Sequence, residues 1–375
     1  MFLTSAFSWI GTNQPISFPK LGLELDPPSG FMLGNMSIYF YGVIIALGLF
    51  LAVAYALKRR KQFGLLEDDI LDGVLWIVPV SIICARAYYC AFRWEEFAAD
   101  PISVLYIWKG GIAIYGGIIG AALCVVIHCA IKKISLPAVL DVVALSFLIG
   151  QFIGRWGNFF NREAFGAYCD TFLAMRVPSS VLHVSDDASK QLLGALATLK
   201  DQAAQGGYTG FYQVHPTFLY ESLWNLAGFI ALHFLSKKRR YDGQIALAYV
   251  AWYGLGRTFI EGLRMDSLYI GTFRVSQLVA AATCFIAVGI LLCLSFLPHP
   301  KKKLFVNARG ELKEPEKKPL FGKKKAEAAE DEQAPSEETE EAVADEPAQE
   351  ATDTAAEESS EKQAAEKPVE EPTEE

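Results

Sequence analysis

Seven runs of about 20 mostly apolar residues recur along this chain of 375 residues, near 38–57, 72–92, 112–131, 137–157, 217–235, 244–261 and 274–296. A run of that length is what an α-helix needs to cross a hydrocarbon layer about 30 Å thick. Lipid offers no partner to backbone N–H and C=O groups, so a spanning segment must satisfy them within its own helix. The expected fold class is therefore an all-α integral membrane protein with about seven transmembrane helices, and 52% hydrophobic residues agree with it. The amphipathic run "ASKQLLGALATLKDQAAQ" predicts one further short helix outside the spans.

Charge divides the chain. Residues 301–375 carry 12 Lys and Arg against 23 Asp and Glu, whereas residues 1–300 carry 22 against 19, so the acidic balance belongs to the tail. Rich in Glu, Ala, Pro and Ser, the tail cannot bury enough apolar surface to offset its ordering entropy, and it is expected to be disordered. Its first part is basic, and either contacts anionic headgroups or serves as a solvated linker.

Basic clusters follow every second span: "KRRK" at 58–61, "KK" at 132–133, "SKKRR" at 236–240 and "PKKK" at 300–303. Such loops stay cytoplasmic, which places the N-terminus outside and the tail inside. The expected organisation is an extracytoplasmic segment 1–37, a membrane domain 38–297 with an extracytoplasmic segment at about 158–214, and a cytoplasmic tail 298–375. The opening "MFLTSAFSWIG" lacks a basic n-region and a long apolar h-region, so no cleaved signal peptide is expected. Six of the seven cysteines fall in or beside spans, and no CxxC or Cys/His ligand spacing occurs. Neither metal, cofactor nor nucleic acid is expected as a partner.

Ionisable groups inside spans cost a few kcal/mol each and usually face a cavity or a partner. In "GQFIGRWGNFFNREAFG" (150–166), Arg155, Asn158 and Arg162 fall at i, i+3 and i+7, with Glu163 adjacent to that stripe. In "YGLGRTFIEGLRMD", Tyr253, Arg257, Glu261 and Arg264 form a second stripe. Arginines at a span end can snorkel to headgroups, the expectation for Arg162, and Arg257 with Glu261 can neutralise each other at i,i+4. Two stripes ending on the same side also allow two guanidinium groups to converge on one anion, and the planar fork of Arg suits phosphate. "WKGGIAIYGGIIG" pairs Gly116 with Gly120 on a close-packing face and is expected to set Tyr115 on a tight wall. "HPTFLYES" opens span five with His215 and Tyr220, "IYFYG" opens span one with Tyr39 and Tyr41, and Arg86 lies in span two. Tyr39 and Tyr220 read as interfacial anchors.

With these motifs in view, "GRWGNFFNREAFG" resembles the signature of the prolipoprotein diacylglyceryl transferase family, and "WKGGIAIYGGIIG", "HPTFLYE" and "GLGRTFIEGLR" are similar to that family's other motifs, in its order, over residues 35 to 297. The resemblance implies a multi-pass enzyme of the bacterial inner membrane that moves the diacylglyceryl group of phosphatidylglycerol to the lipobox cysteine of a preprolipoprotein. A thioether forms and glycerol-1-phosphate leaves. It implies that Arg155 holds the lipid phosphate, that Asn158, Glu163 and Gly166 are signature positions, that Arg257 is a second essential arginine with Glu261 as its partner, and that Tyr41 and Tyr253 are family positions. His215 and Arg264 complete the expected substrate-binding set. Many members carry histidine, proposed as a base, where this chain has Tyr115, and a phenol of pKa near 10 is a poor base at neutral pH.

The chemistry asks most of the leaving group. A phosphodiester becomes a monoester with extra charge, and preorganised arginines in a dry cavity stabilise that charge more than the ground state. A transporter or flippase for an anionic lipid or solute would also use buried arginines, although no inverted repeat of hydropathy is evident.

Overall fold

The computed structural model describes residues 7–11, 14–34, 36–181, 190–265, 269–270, 273–296 and 305. Expectations for the acidic tail concern residues outside that set. Nine α-helices occur among the described residues: α1 (Phe40–Arg59), α2 (Glu67–Phe92), the short α3 (Trp94–Phe97), α4 (Ile114–Lys132), α5 (Leu136–Asn161), α6 (Lys190–Gln205), α7 (Thr217–Ser236), α8 (Gln244–Glu261) and α9 (Val275–Phe296). Local chemistry sets several ends. Glu67, Asp68 and Asp69 sit in the first turn of α2, where carboxylates favour the helix dipole, and Asp69 accepts the Leu66 N–H at 2.9 Å. Lys58 and Arg59 close α1, and Pro137 stands in the first turn of α5.

The protein is an integral membrane protein, and among the described residues six helices (α1, α2, α4, α5, α7 and α9) are long and apolar enough to cross a membrane. The seventh expected span is also a helix, α8, but it is not among those six. Its hydropathy is lowered by Gln244, Arg257 and Glu261, the last two belonging to the second polar stripe. Helix α5 lies centrally, packed along α1, α7 and α8, while α2 pairs with α4 and α8 with α9. At the α2–α4 seam, Gly116 meets Tyr88 and Gly120 meets Cys84.

Short strands add what the sequence did not announce. Strands β1 (Phe7–Ile10), β2 (Ile16–Phe18), β3 (Leu23–Leu25), β4 (Gly30–Leu33), β5 (Met36–Tyr39), β6 (Met175–Pro178), β7 (Phe211–Val214), β8 (Tyr269–Ile270) and β9 (Phe273–Arg274) form three small sheets. One has the order β1-β4-β5, another β3-β2-β6-β7, and the third pairs β8 with β9. The second sheet joins strands β2 and β3 to β6 and β7 through Ser17 opposite Arg176. Both strand pairs therefore cap the same end of the bundle. Ile16, Phe18, Val177, Val214 and Leu199 of α6 form the core beneath it. Lys20 reaches Asp170 at 2.9 Å and holds that carboxyl below its ordinary range.

Arg162 corrects the expectation of snorkelling, being only 3% exposed. It ends α5 in a left-handed backbone conformation with φ of 55°, which turns its side chain off the Arg155–Asn158 stripe. Its guanidinium then meets Asp26 at 2.9 Å and the carbonyls of Gln14 and Pro27 at 2.7 Å each, a use of many donors that lipid headgroups do not match in fixed geometry. Arg86 is similarly absorbed: it donates to the carbonyls of Ser103, Val104, Gly110 and Gly111 and holds the loop between α3 and α4.

At the opposite end, buried Asp141 of α5 accepts the N–H groups of Gly243, Ile245 and Ala246 and pairs with Arg239 at 3.0 Å. The first turn of α8 is thus capped from a neighbouring helix. Phe305 packs on the apolar cluster there and donates its N–H to Asp242 at 2.9 Å.

Candidate functional site

The two polar stripes meet on a residue of a third helix. Glu221, one turn into α7 and 4% exposed, takes Arg155 of α5 at 2.5 Å on one carboxylate oxygen and Arg257 of α8 at 3.1 Å on the other. Arg264, just past α8, stands 3.5 Å from the same carboxylate. Arg257 also grips Glu261 one turn onward at 2.5 Å, and Glu261 is 2% exposed. From Arg155 the chain of contacts runs outward to Asn158 at 3.5 Å, whose amide donates to Glu163 at 3.0 Å. Arg274 donates to the Glu261 carbonyl as well, so among the described residues four guanidinium groups stand with the three carboxylates of Glu221, Glu261 and Glu163, which leaves one positive charge in excess in this connected set.

A reciprocal brace fixes how α7 and α8 present these groups. The indoles of Trp224 and Trp252 stack at 4.6 Å, and each Nε1–H donates to the other residue's carbonyl at 3.0 Å. Gly256 and Gly228 make room, since a Cβ on either would fall within 2.4 Å of an indole. Trp224 follows Glu221 by three residues and Gly256 precedes Arg257, so the register that stacks the indoles also pairs the ions. Gln151 adds a tie between α5 and α8 by donating to the Tyr249 hydroxyl at 3.0 Å.

Gly166 anchors the underside of the cluster. Its N–H donates to the His215 carbonyl at 2.9 Å, and it bridges Arg264 in antiparallel fashion. A Cβ at this position would lie 2.8 Å from both the Leu263 oxygen and the His215 Cβ. Gly166→Ala is therefore expected to cost about 1–3 kcal/mol by overpacking and to displace Arg264, measured as a lower unfolding temperature together with slower turnover.

The expected residues divide into two groups. Arg155, Asn158, Glu163, Gly166, Arg257, Glu261 and Arg264 form one connected set. Tyr41 lies over Gly157 and shares with Arg155 and Asn158 the lining of an adjoining cavity, while Tyr253 stacks on Tyr249 and borders Glu221 and Arg257. His215 joins through its backbone; its ring meets the Tyr220 hydroxyl at 3.5 Å, and burial holds it below the ordinary imidazole pKa, hence neutral near pH 7. Tyr115 is not brought to the set. The packed wall of α4 is made by Gly116 and Gly120, and Tyr115, about 100° around the helix, is turned outward and 72% exposed.

Glu221 was missed. It stands in the "HPTFLYES" run beside Tyr220 and is a carboxylate within an apolar span, the same signal that singled out the arginines.

The cavity measures about 690 Å³ and runs between α1, α2, α4 and α5. Tyr41, Arg155 and Asn158 stand at its capped end, and apolar residues of the four helices line most of its length. Helix pairs α1/α5 and α2/α4 pack closely within themselves and touch each other little, which is why the space exists.

The chain is similar to known proteins over most of its length. The family described as prolipoprotein diacylglyceryl transferase matches residues 28–293. A protein of Listeria monocytogenes serotype 4a, named phosphatidylglycerol–prolipoprotein diacylglyceryl transferase, is 41% identical over 271 residues, covering 72% of this chain and 91% of its own. Proteins of the same name from Lysinibacillus sphaericus and Limosilactobacillus reuteri are 40% identical over 284 residues and 39% over 269, covering 75% and 71% of this chain and 96% and 90% of theirs.

Proposed function

We propose a mechanism for the arginine cluster on the premise that this chain belongs to the prolipoprotein diacylglyceryl transferase family. The protein is a transferase that moves the diacylglyceryl group of phosphatidylglycerol to a prolipoprotein cysteine thiol. The observation that carries the assignment of roles is the meeting of Arg155 and Arg257 on Glu221, with Arg155 also lining the capped end of an apolar cavity. Glu221 holds the two guanidinium groups at a fixed separation, and the surplus positive charge attracts a phosphodiester of charge −1. Tyr41, Arg155 and Asn158 receive the headgroup while the donor's hydrocarbon enters the cavity.

Sulfur of the lipobox cysteine attacks the glycerol carbon that bears the phosphate. The carbon–oxygen bond breaks, a thioether forms, and glycerol-1-phosphate leaves with the electron pair. A free thiol of pKa about 8.5 is a few per cent thiolate at pH 7, and cationic surroundings raise that fraction. Charge on the leaving phosphate grows as the bond breaks, so preorganised arginines lower the barrier more than they lower the ground state. Transport of an anionic lipid, the competing reading, draws no support from the relatives. Incubation of the purified protein with phosphatidylglycerol and a lipobox peptide should add a diacylglyceryl mass to the cysteine; lipid moved but not consumed would favour transport.

The same reading places the protein in the bacterial inner membrane, with N-terminus and cap extracytoplasmic and the C-terminus cytoplasmic, in accord with the basic loops. Two exposed positions test it. A cysteine replacing Thr209 is expected to react with an impermeant maleimide in intact cells, and one replacing Lys238 only after permeabilisation. The reverse labelling would invert the topology.

A further inference from the structure

The cavity has a closed floor. Its lining ends, away from Arg155, at Ala56, Leu65, Asp69, His128, Val139 and Val142. Ala56, Leu65 and Val142 belong to the buried apolar cluster that seals that end of the bundle, each no more than 6% exposed. The polar groups there are occupied within the protein: His128 Nε2 lies 3.0 Å from the Asp69 carbonyl, and an Asp69 carboxylate oxygen accepts the Leu66 N–H. Along α5, the distance from Arg155 to Val139, both lining residues, is about 24 Å at 1.5 Å per residue. One leaflet supplies about 15 Å, half of a hydrocarbon core about 30 Å thick.

We infer that the floor sets an upper limit on the acyl-chain length of the donor lipid, so that the cavity acts as a ruler read from the phosphate downward. This rests on the proposed placement of the lipid phosphate at Arg155. A chain fixed at one end by its headgroup and stopped at the other by packed side chains has no freedom to slide. Hydrophobicity does not set the preference, because lipid tails are already in an apolar solvent before they enter. Sterics set it instead: a short chain leaves part of the wall without contacts, and a long one must buckle or displace the floor. The limit is sharper on the long side, since lost dispersion contacts cost less than overlap.

Gly73 of α2 lines the cavity at the level of His128, and a Cβ there would meet His128 at an ordinary 3.6 Å. Gly73→Leu therefore adds bulk just above the floor and improves helix propensity at the same time. Val139→Phe adds bulk from α5 at a similar depth. The experiment gives the full-length wild type and both variants phosphatidylglycerols with paired lauroyl, myristoyl, palmitoyl or stearoyl chains, plus a lipobox peptide, and reads diacylglyceryl transfer by mass spectrometry. In each variant the stearoyl-to-myristoyl rate ratio is expected to fall about ten-fold or more, the scale of overpacking by a few carbons, with myristoyl transfer within about three-fold of wild type. The ratio is internal to one sample and does not depend on the folded fraction. Unchanged ratios in variants made beside an active wild type, or equal losses at every length, would overturn the ruler. A wild type that transfers no diacylglyceryl group from any donor would instead overturn the functional reading on which it rests.

Discussion

Alanine at Arg155 or at Arg257 is expected to slow diacylglyceryl transfer by several powers of ten, corresponding to about 3–5 kcal/mol of lost barrier stabilisation. The two guanidinium groups would act on one departing phosphate and share one carboxylate, Glu221. The double alanine variant should accordingly be little worse than either single one, as groups working as a unit lose their effect together. Lysine in place of Arg155 keeps the charge but loses the planar fork that spans Glu221 and a phosphate oxygen, so Arg155→Lys should remain strongly impaired while still binding lipid. Single-turnover rates normalised to folded protein measure this. A near-wild-type rate for either alanine variant would remove that arginine from the mechanism.

Glu221→Ala is expected to damage the protein itself. The carboxylate is 4% exposed and lies within 3.5 Å of Arg155, Arg257 and Arg264. Without it, three guanidinium groups face only Glu261, and breaking a buried ion cluster from one side typically costs about 3–5 kcal/mol. Glu221→Gln keeps the shape and part of the hydrogen bonding, so it should be milder in stability and still severe in turnover, because the arginines would no longer be held apart at a set distance. Thermal unfolding in detergent, read beside transfer rate for the two variants, separates the contributions. Wild-type stability in Glu221→Ala would show that the arginines do not need it.

The spans could be read from the sequence because a single strong rule governs them: twenty apolar residues admit few alternatives, and the helices α1, α2, α4, α5, α7, α8 and α9 begin and end within about five residues of the seven hydrophobic runs. The short amphipathic helix α6 fell where its periodicity placed it. Strands of two to four residues carry too few alternations to stand out, and the pairing of Ser17 with Arg176 is set by tertiary contact that no local pattern encodes. For the site, helical spacing correctly aligned Arg155 with Asn158 and Arg257 with Glu261. It failed at Arg162, because one left-handed residue ends the helical phase on which the stripe depends. It failed at Tyr115 for a different reason: a small-residue motif shows that one face of α4 is packed, and the tyrosine occupies the next face. Glu221 is hidden for a third reason: it has no charged partner at helical spacing within its own span, and the groups it pairs with lie on α5 and α8, although a carboxylate in a span is itself a rare event.

The cap has a consequence for synthesis. Lys20 and Asp170, which touch across it, are 150 residues apart in sequence, and at about 5–20 residues per second the ribosome needs roughly 8–30 s to deliver the second after the first. Strand β2 can pair with β3 at once, but its other edge waits for β6 until four spanning helices have been made. Arg162 arrives just before those later cap residues and carries donors for Gln14, Asp26 and Pro27. Pairing of β2 with β6 thus marks the moment at which the first half of the bundle has been threaded, and the core of the cap is completed only when the later helices that bring Glu221 and Arg257 also deliver Phe218 and Met265.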